Sequence, residues 1–369
     1  MDKTLNIPQG VLASQNLRML VEEGIIIAPD LEADSIQPAS MDLRIGDRAW
    51  RVPSAFFADK VLERLVEEER SYYSIDLTRQ TFLESGKTYV VELQERLALP
   101  PHIRGQVNPK STTGRADIFV RLITDGGKVF DRIAPGYNGP MYAIVTSQSF
   151  NVKIYRGLSL NQLRLKIHNP SQLSTQELLE MGKTFDILYS RDGKPLPIRD
   201  YVRDGGLHLS LDLSGDIVGY TSKTHAPVLD MAGVGKHDIQ SFWDPIPRPQ
   251  NGRLILDQDK FYILMSKELV RIPNIYSAEV VDFDSGIGEF RTHYAGFFDP
   301  GFGYGEHGEI KGSTAVFEAR VRDVHMEVRD GQTFCNIVFE RMSMVPDRSY
   351  GAQSNYQGQT TPKLAKQFK

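Results

Sequence analysis

Residues 133–145 read I-A-P-G-Y-N-G-P-M-Y-A-I-V, and residues 298–321 open F-D-P-G-F-G-Y-G and close T-A-V-F-E-A-R-V. The two stretches are versions of one pattern. Each follows a strand-like run introduced by Leu99-Pro100 or Ile272-Pro273, and each leads into an apolar strand pair. The differences complement one another. The first version alone is preceded by a hydroxyl- and cation-rich run, Lys110-Ser111-Thr112-Thr113-Gly114-Arg115; the second alone carries a carboxylate, Glu318, on the strand after the turn. Two unlike half-sites imply one composite site per chain.

Working outward, the strands after each pattern also match. Asn151–Ile154 and Leu160–Leu165 in the first half correspond to Val324–Val328 and Phe334–Phe339 in the second, with Tyr155-Arg156-Gly157 and Arg329-Asp330-Gly331 as the turns between. Residues 206–222 alternate around Leu207, Leu209, Leu211 and Leu213 and echo Ala39–Gly46. A single long period of this kind is domain duplication, not a solenoid. Short alternating or apolar runs broken by Pro, Gly and Asn from Tyr89 to Ile167 read as a compact all-β barrel or sandwich. Helical spacing of Leu12, Leu17, Leu20 and Val21 with Gly24 as C-cap predicts a short amphipathic helix, and 61–71 a second. The expected layout is two β domains, 1–172 and 201–347, joined by a linker over 173–200 and followed by a C-terminal arm, 348–369.

Composition narrows the class. A length of 369 residues favours two domains. A net charge of −4 gives no electrostatic footprint for nucleic acid, although local basic loops still suit a small anion. The one cysteine, Cys335, rules out an internal disulfide framework and points to a reducing compartment. It also rules out the zinc site of deaminases that use a Cys-x-x-Cys pair. In its apolar run, Thr333–Phe339, it reads as an inert packing thiol. No basic-then-apolar leader and no membrane-length run is seen, so a cytoplasmic location with no membrane partner is expected.

The motifs carry a family resemblance. Gln37–Gly46 (Q-P-A-S-M-D-L-R-I-G) is similar to the first motif of the dCTP deaminases of the trimeric dUTPase-like superfamily. Lys110–Arg115 resembles their phosphate-binding motif, His293–Phe302 their nucleoside motif, Phe317-Glu318 the strand with the catalytic glutamate, and Asn355–Gln359 the tail that closes over the triphosphate. The resemblance covers most of the chain once per half. It implies two tandem dUTPase-like β-barrel (distorted jelly-roll) domains, mainly β with a few short helices, in a homo-oligomer with threefold or pseudo-threefold packing. It implies hydrolytic deamination of dCTP, a hydrolase step on a cyclic amidine C–N bond that yields dUTP and ammonia and supplies dUTP towards dTTP synthesis. Mg²⁺ is expected only through the substrate triphosphate, with no protein metal site and no zinc.

The departures assign the halves. Ile144 stands where the first half would hold the catalytic glutamate, and Ala134 where it would hold the nucleoside aspartate. In the second half the phosphate motif decays to Asp284–Glu289, whose carboxylates repel a triphosphate. The resemblance therefore implies Glu318 as proton shuttle, Ser111 and the Ala295 carbonyl as positioners of water, and Arg115 as a phosphate or carboxylate partner. It implies Lys110, Tyr350 and Gln359 at the phosphates, Asp299 at the deoxyribose 3′-hydroxyl and Phe302 beneath the sugar. From spacing alone, Glu318 also reads as a solvent-facing glutamate, Ser111 as a turn serine and Asp299-Pro300-Gly301 as ordinary turn chemistry. His293 reads as a core or turn histidine, and a lysine common in the family is replaced by Asn355. A dUTP diphosphatase or bifunctional enzyme of the same fold, and a non-catalytic nucleotide-binding regulator, are the alternatives.

Overall fold

The computed structural model describes residues 7–66, 70–167, 172–281, 290–292, 296–322, 324–351 and 356–369. Strands dominate. In the first half they are β1 (Met41–Val52), β2 (Thr88–Ala98), β3 (Ile103–Pro109), β4 (Ile118–Thr124), β5 (Arg132–Ile133), β6 (Asn138–Ser147) and β7 (Ser159–Ile167). Their order in the sheet is β4-β6-β2-β1-β7-β3-β5. The second half has β8 (Gly206–Ser210), β9 (Ile217–Ser222), β10 (Phe261–Val270), β11 (Tyr276–Val281), β12 (Phe290–Thr292), β13 (Phe297–Phe298), β14 (Ser313–Val321) and β15 (Thr333–Arg341). They order as β9-β10-β14-β12 and β8-β15-β11-β13. The fold is thus mainly β, with one barrel-like arrangement used twice. The long strand β1, which pairs with both β2 and β7, is divided in the second half into β9, paired with β10, and β8, paired with β15.

The repeat extends to single hydrogen bonds. Gly157 and Gly331, both at positive φ, donate their amides to the equivalent carbonyls of Ile45 (2.9 Å) and Leu211 (2.8 Å). The stretches quoted at the outset are matching turns. Tyr137 N–H donates to Ala134 O (3.2 Å) and Phe302 N–H to Asp299 O (3.1 Å), with Pro at the second position and a positive-φ glycine, Gly136 or Gly301, at the third. Proline presets the first central residue, and glycine accepts the left-handed conformation at the second, which is the type II pattern.

Helices are few: α1 (Ser14–Glu22), α2 (Val61–Val66), the single turn α3 (Ser111–Gly114) and α4 (Thr175–Thr184). The expected second helix, 61–71, is described over Val61–Val66, with 67–69 outside the described residues. It buries Val61 and Leu65 in a cluster with Trp50, Val90, Ile123, Tyr142 and Ile144. Residues 173–200 are more than the linker expected of them. The helix α4 opens on a Ser174–Glu177 capping box, and Leu173, Leu178, Met181, Ile187 and Leu188 enter the second core. Leu188 and Tyr189 pair with the end of β10. The flanking Pro and Gly turns had obscured this apolar spacing. The end of the arm is also packed: Leu364 joins the first core, and the Phe368 ring lies against Trp243 and Phe242. Among the described residues no helix is long and apolar enough to cross a membrane.

Two strands line the seam between the halves. On β14, Ala315, Phe317, Ala319 and Val321 belong to the second core, while Val316 packs on the first core and Arg320 pairs with Asp117. On β7, Leu163, Leu165 and Ile167 fill the first core, while Arg164 and Lys166 reach the second half. Successive side chains point to opposite faces of a strand, so one face serves each core and the other the seam. Lys166 Nζ lies 2.5 Å from Glu340 Oε2 and donates to Gln106 Oε1 at 3.0 Å, all buried. Replacing one partner strands a buried charge. Lys166→Met is therefore expected to cost about 3–5 kcal/mol in urea-induced unfolding, and the double variant Lys166→Met/Glu340→Met to recover most of that loss.

Candidate active site

A cavity of about 650 Å³ opens at this seam. Its walls include the α3 turn and residues 34–42 of the first half, β14 and the Asp299 turn of the second half, and the C-terminal arm. The α3 turn follows Pro109. The amides of Thr113 and Gly114 both donate to Lys110 O (2.8 and 3.0 Å), and Arg115 N–H donates to Ser111 O (3.0 Å). This tight turn brings Lys110, Ser111, Thr112 and Arg115 to the cavity wall.

Glu318 meets this turn from the other half. Its neighbours Phe317 and Ala319 point into the second core, so its own side chain faces the seam. The carboxylate lies directly over Gly114, where an added methyl group would stand 2.1 Å from Glu318 Oε2. Burial pushes the Glu318 carboxyl well above the usual carboxylate range; Arg115 opposes that rise and Asp117 adds to it. Burial thus raises the affinity of this carboxyl for a proton.

Arg115 is the hub of the contacts. Its guanidinium sits 3.8 Å from the Tyr356 ring centroid, and Nη1 donates to Gln359 Oε1 (3.2 Å) and Lys363 O (2.8 Å). The hydroxyls of Thr112 and Tyr356 are 2.9 Å apart. Gln359 lines the cavity with both ends of its amide occupied, because Nε2 donates to Thr314 O at 2.7 Å. The arm is thereby clasped onto both halves at once.

Asp299 is buried, and burial raises its carboxyl; Arg164 counters this and Asp42 reinforces it. Arg164, fully buried on β7, pairs with Asp299 Oδ1 at 3.3 Å, donates to Ala278 O at 3.2 Å and stacks 3.9 Å over the Phe297 ring. Phe302 packs its ring 5.0 Å from Phe298 and 5.4 Å from Tyr350. Tyr350 thus stands on the aromatic side of the cavity. Lys110 pairs with Asp42, whose carboxyl is raised by burial against the pull of Lys110. Lys366 from the arm lines the same wall and is lowered by burial and by Lys110. Two partly covered ammonium groups with Arg348 nearby make a cationic mouth suited to an anion.

Of the expected site residues, Glu318, Ser111, Arg115, Lys110, Asp299, Phe302, Tyr350 and Gln359 all line this one cavity. Ala295, with His293, Asn355 and Asp284–Glu289, lies outside the described residues. Asp42, Arg164, Tyr356 and Lys366 were not singled out. Asp42 stood inside the quoted first motif and Tyr356 inside the tail motif. Arg164 and Lys366 had no signal beyond their charge, since only the fold brings them here. Cys335 is buried in the second core, and burial raises its thiol, as a packing cysteine requires.

The two halves match separate domain descriptions. Residues 8–169 match the N-terminal domain of 2′-deoxycytidine 5′-triphosphate deaminase, and residues 175–368 its C-terminal domain. The chain is similar to a dCTP deaminase, dUMP-forming, of Nanoarchaeum equitans, with 26% identity over 45% of this chain and 89% of that protein. It is also similar to a dCTP deaminase of Aeropyrum pernix, with 24% identity over 44% of this chain and 85% of that protein. Both relatives align to less than half of this chain. The crystal structure of 2′-deoxycytidine 5′-triphosphate deaminase from Agrobacterium tumefaciens spans both halves: the TM-score is 0.82 and the identity 38%, over 91% of this chain and 99% of that one. With both halves matched in order and one solved structure matched almost throughout, this chain belongs to the 2′-deoxycytidine 5′-triphosphate deaminase family.

Proposed function

We propose that the protein converts dCTP and water to dUTP and ammonia at the seam cavity, supplying dUTP towards dTTP synthesis. The observation that carries this is the buried carboxylate of Glu318 lying over Gly114 at the Lys110–Arg115 turn. Water attacks C4 of cytosine while Glu318 takes its first proton and passes it to N3; Glu318 then takes the remaining proton from the C4 hydroxyl and gives it to N4, which leaves as ammonia as the C4 carbonyl forms. Ser111, half-buried on the cavity wall, hydrogen-bonds the water or the amino group. The Ala295 backbone carbonyl is the other water-positioning group. Arg115 offsets the charge on Glu318 and holds the arm.

Asp299, charge-paired with Arg164, accepts from the deoxyribose 3′-hydroxyl, and Phe302 packs against the sugar. Lys110, Lys366, Arg348 and the arm face the triphosphate, with Tyr350 and Gln359 nearby. Mg²⁺ enters on the triphosphate oxygens. Its place is with the substrate, because Lys110, Lys366 and Arg348 line this wall and its carboxylates Asp42 and Asp34 are paired with Lys110 and Arg348. Because the α3 turn, β14 and the arm belong to one chain, the described parts of the site assemble within the chain; threefold or pseudo-threefold packing remains the proposal for any homo-oligomer.

Glu318→Gln is expected to lower ammonia release from dCTP by at least about 10³-fold while leaving dCTP affinity within a few-fold, measured by coupled ammonia assay and calorimetry. Surviving activity would remove Glu318 from the mechanism. Gly114→Val places a side chain where the Glu318 carboxylate sits and is expected to cut kcat about 100-fold with little change in Tm. Product analysis tests the neighbouring reading: intact dUTP accompanies a deaminase, whereas dUMP with pyrophosphate reveals a second hydrolytic step like that named for the Nanoarchaeum equitans relative.

A further inference from the structure

Two residues beyond Glu318 on β14 stands Arg320, and two beyond Arg115 at the end of the α3 turn stands Asp117. These four charges meet across the seam. Asp117 has no exposed surface, and its Oδ2 accepts from the Arg320 guanidinium and from Ser149 Oγ at 2.5 Å. Ser149 Oγ is also 3.1 Å from Arg320 Nη2 and 2.9 Å from Ser222 Oγ, and Arg320 donates to Asp259 O. The Asp117 backbone is left-handed, at φ 55°, a conformation that glycine adopts freely and aspartate only at a cost. A buried charge on an unfavourable backbone, fixed by an arginine from the other half, is a poor way to gain stability alone. Its position beside the Glu318 carboxyl gives it a use.

We propose that Asp117 is a positioning residue for Glu318: clamped by Arg320 and Ser149, it holds a fixed negative charge beside the acid–base carboxyl and sets the pH range in which that carboxyl exchanges its proton. The inference rests on the role proposed for Glu318. The charges acting on Glu318 are Arg115, which favours its ionised form, and Asp117, which opposes it. Those acting on Asp117 are Arg320 and Arg322. Of the other cavity charges, Asp299 pairs with Arg164, Asp42 with Lys110 and Asp34 with Arg348, while Lys366 lies beside Lys110 and Asp42. Burial pushes Asp117 up to about 6 against Arg320 and Ser149. Its charge is therefore present above that pH and lost below it.

The sign of the effect follows. A like charge raises the pKa of its neighbour by one unit or more at short range, so removing it lowers the Glu318 titration. Asn and Gly both accept the left-handed backbone, so Asp117→Asn and Asp117→Gly remove the charge without adding strain. With dCTP at saturation, the rising limb of kcat against pH is expected to move down by about one unit in both variants, with plateau kcat within about three-fold of the parent. On the part of the rising limb above about pH 6, where the parent's Asp117 is charged, activity relative to plateau would then rise up to about ten-fold. Both variants leave Arg320 without its buried partner and lower Tm under either reading; a purely structural role predicts, besides, lower activity at every pH with the limb unmoved, and that result would overturn the proposal. Glu318→Gln assayed in parallel separates the two levels: if it is dead and the limb stays in place, only the Asp117 role fails; if it remains active, the Glu318 role fails with it.

Discussion

Charges buried between the two halves must find partners, and this constraint fixes how the halves meet. Arg164 with Asp299, Lys166 with Glu340 and Asp117 with Arg320 each join one half to the other, and all six side chains are nearly or fully inaccessible to water. A buried charge tolerates little misplacement, because a slip of even an ångström leaves it desolvated and unpaired. Apolar surfaces would allow the halves to slide; three ion pairs do not. The register they impose brings the β14 strand over the α3 turn, so that a carboxylate from one half rests on a glycine from the other. The chemistry of the cavity depends on that alignment.

How much of this was legible in the sequence follows from which forces leave local traces. The duplication was legible because turns leave local signatures: Ala134-Pro135-Gly136 and Asp299-Pro300-Gly301 need proline and glycine at fixed offsets, and both form the expected turn. Glu318 stood out as the carboxylate that the first half lacks, but its spacing alone fitted a solvent-facing glutamate equally, and its burial at the seam comes from the fold. Arg164 was hidden, since in sequence it is one more cation alternating with leucines, and its meaning lies in a partner 135 residues away. The fold of 173–200 was obscured by its own punctuation, with the spacing of Leu178 and Met181 lying between turn signals. The grip of the arm was also hidden. It comes from scattered single residues, Tyr356, Leu364 and Phe368, each bound to a different surface.

The two halves show the same scaffold put to different uses. Ile144 pairs with Val90 across the first sheet as Glu318 pairs with Ile263 across the second. Around Ile144 the space is filled: Trp50, Tyr142 and the buried face of α2 close it with apolar side chains. Around Glu318 the corresponding face opens onto the first half and the arm. An apolar residue at that position stabilises by leaving water. A carboxylate there costs stability, and its raised proton affinity is the form that cost takes.

The first core contains more than the first half. Leu229, Met231, Phe242, Trp243, Phe261 and Ile263 belong to it, as does Leu364 near the very end of the chain, with Phe368 packed alongside. A ribosome delivers the N-terminal residues first, and in most multidomain proteins the leading domain folds while the rest is still being made. Here the leading half emerges with its interior unfinished. Its remaining apolar pieces come from far along the chain, and contacts spanning such sequence distances form slowly. The first core is therefore complete only once segments between Leu229 and Ile263, and Leu364 further on, have been added to it.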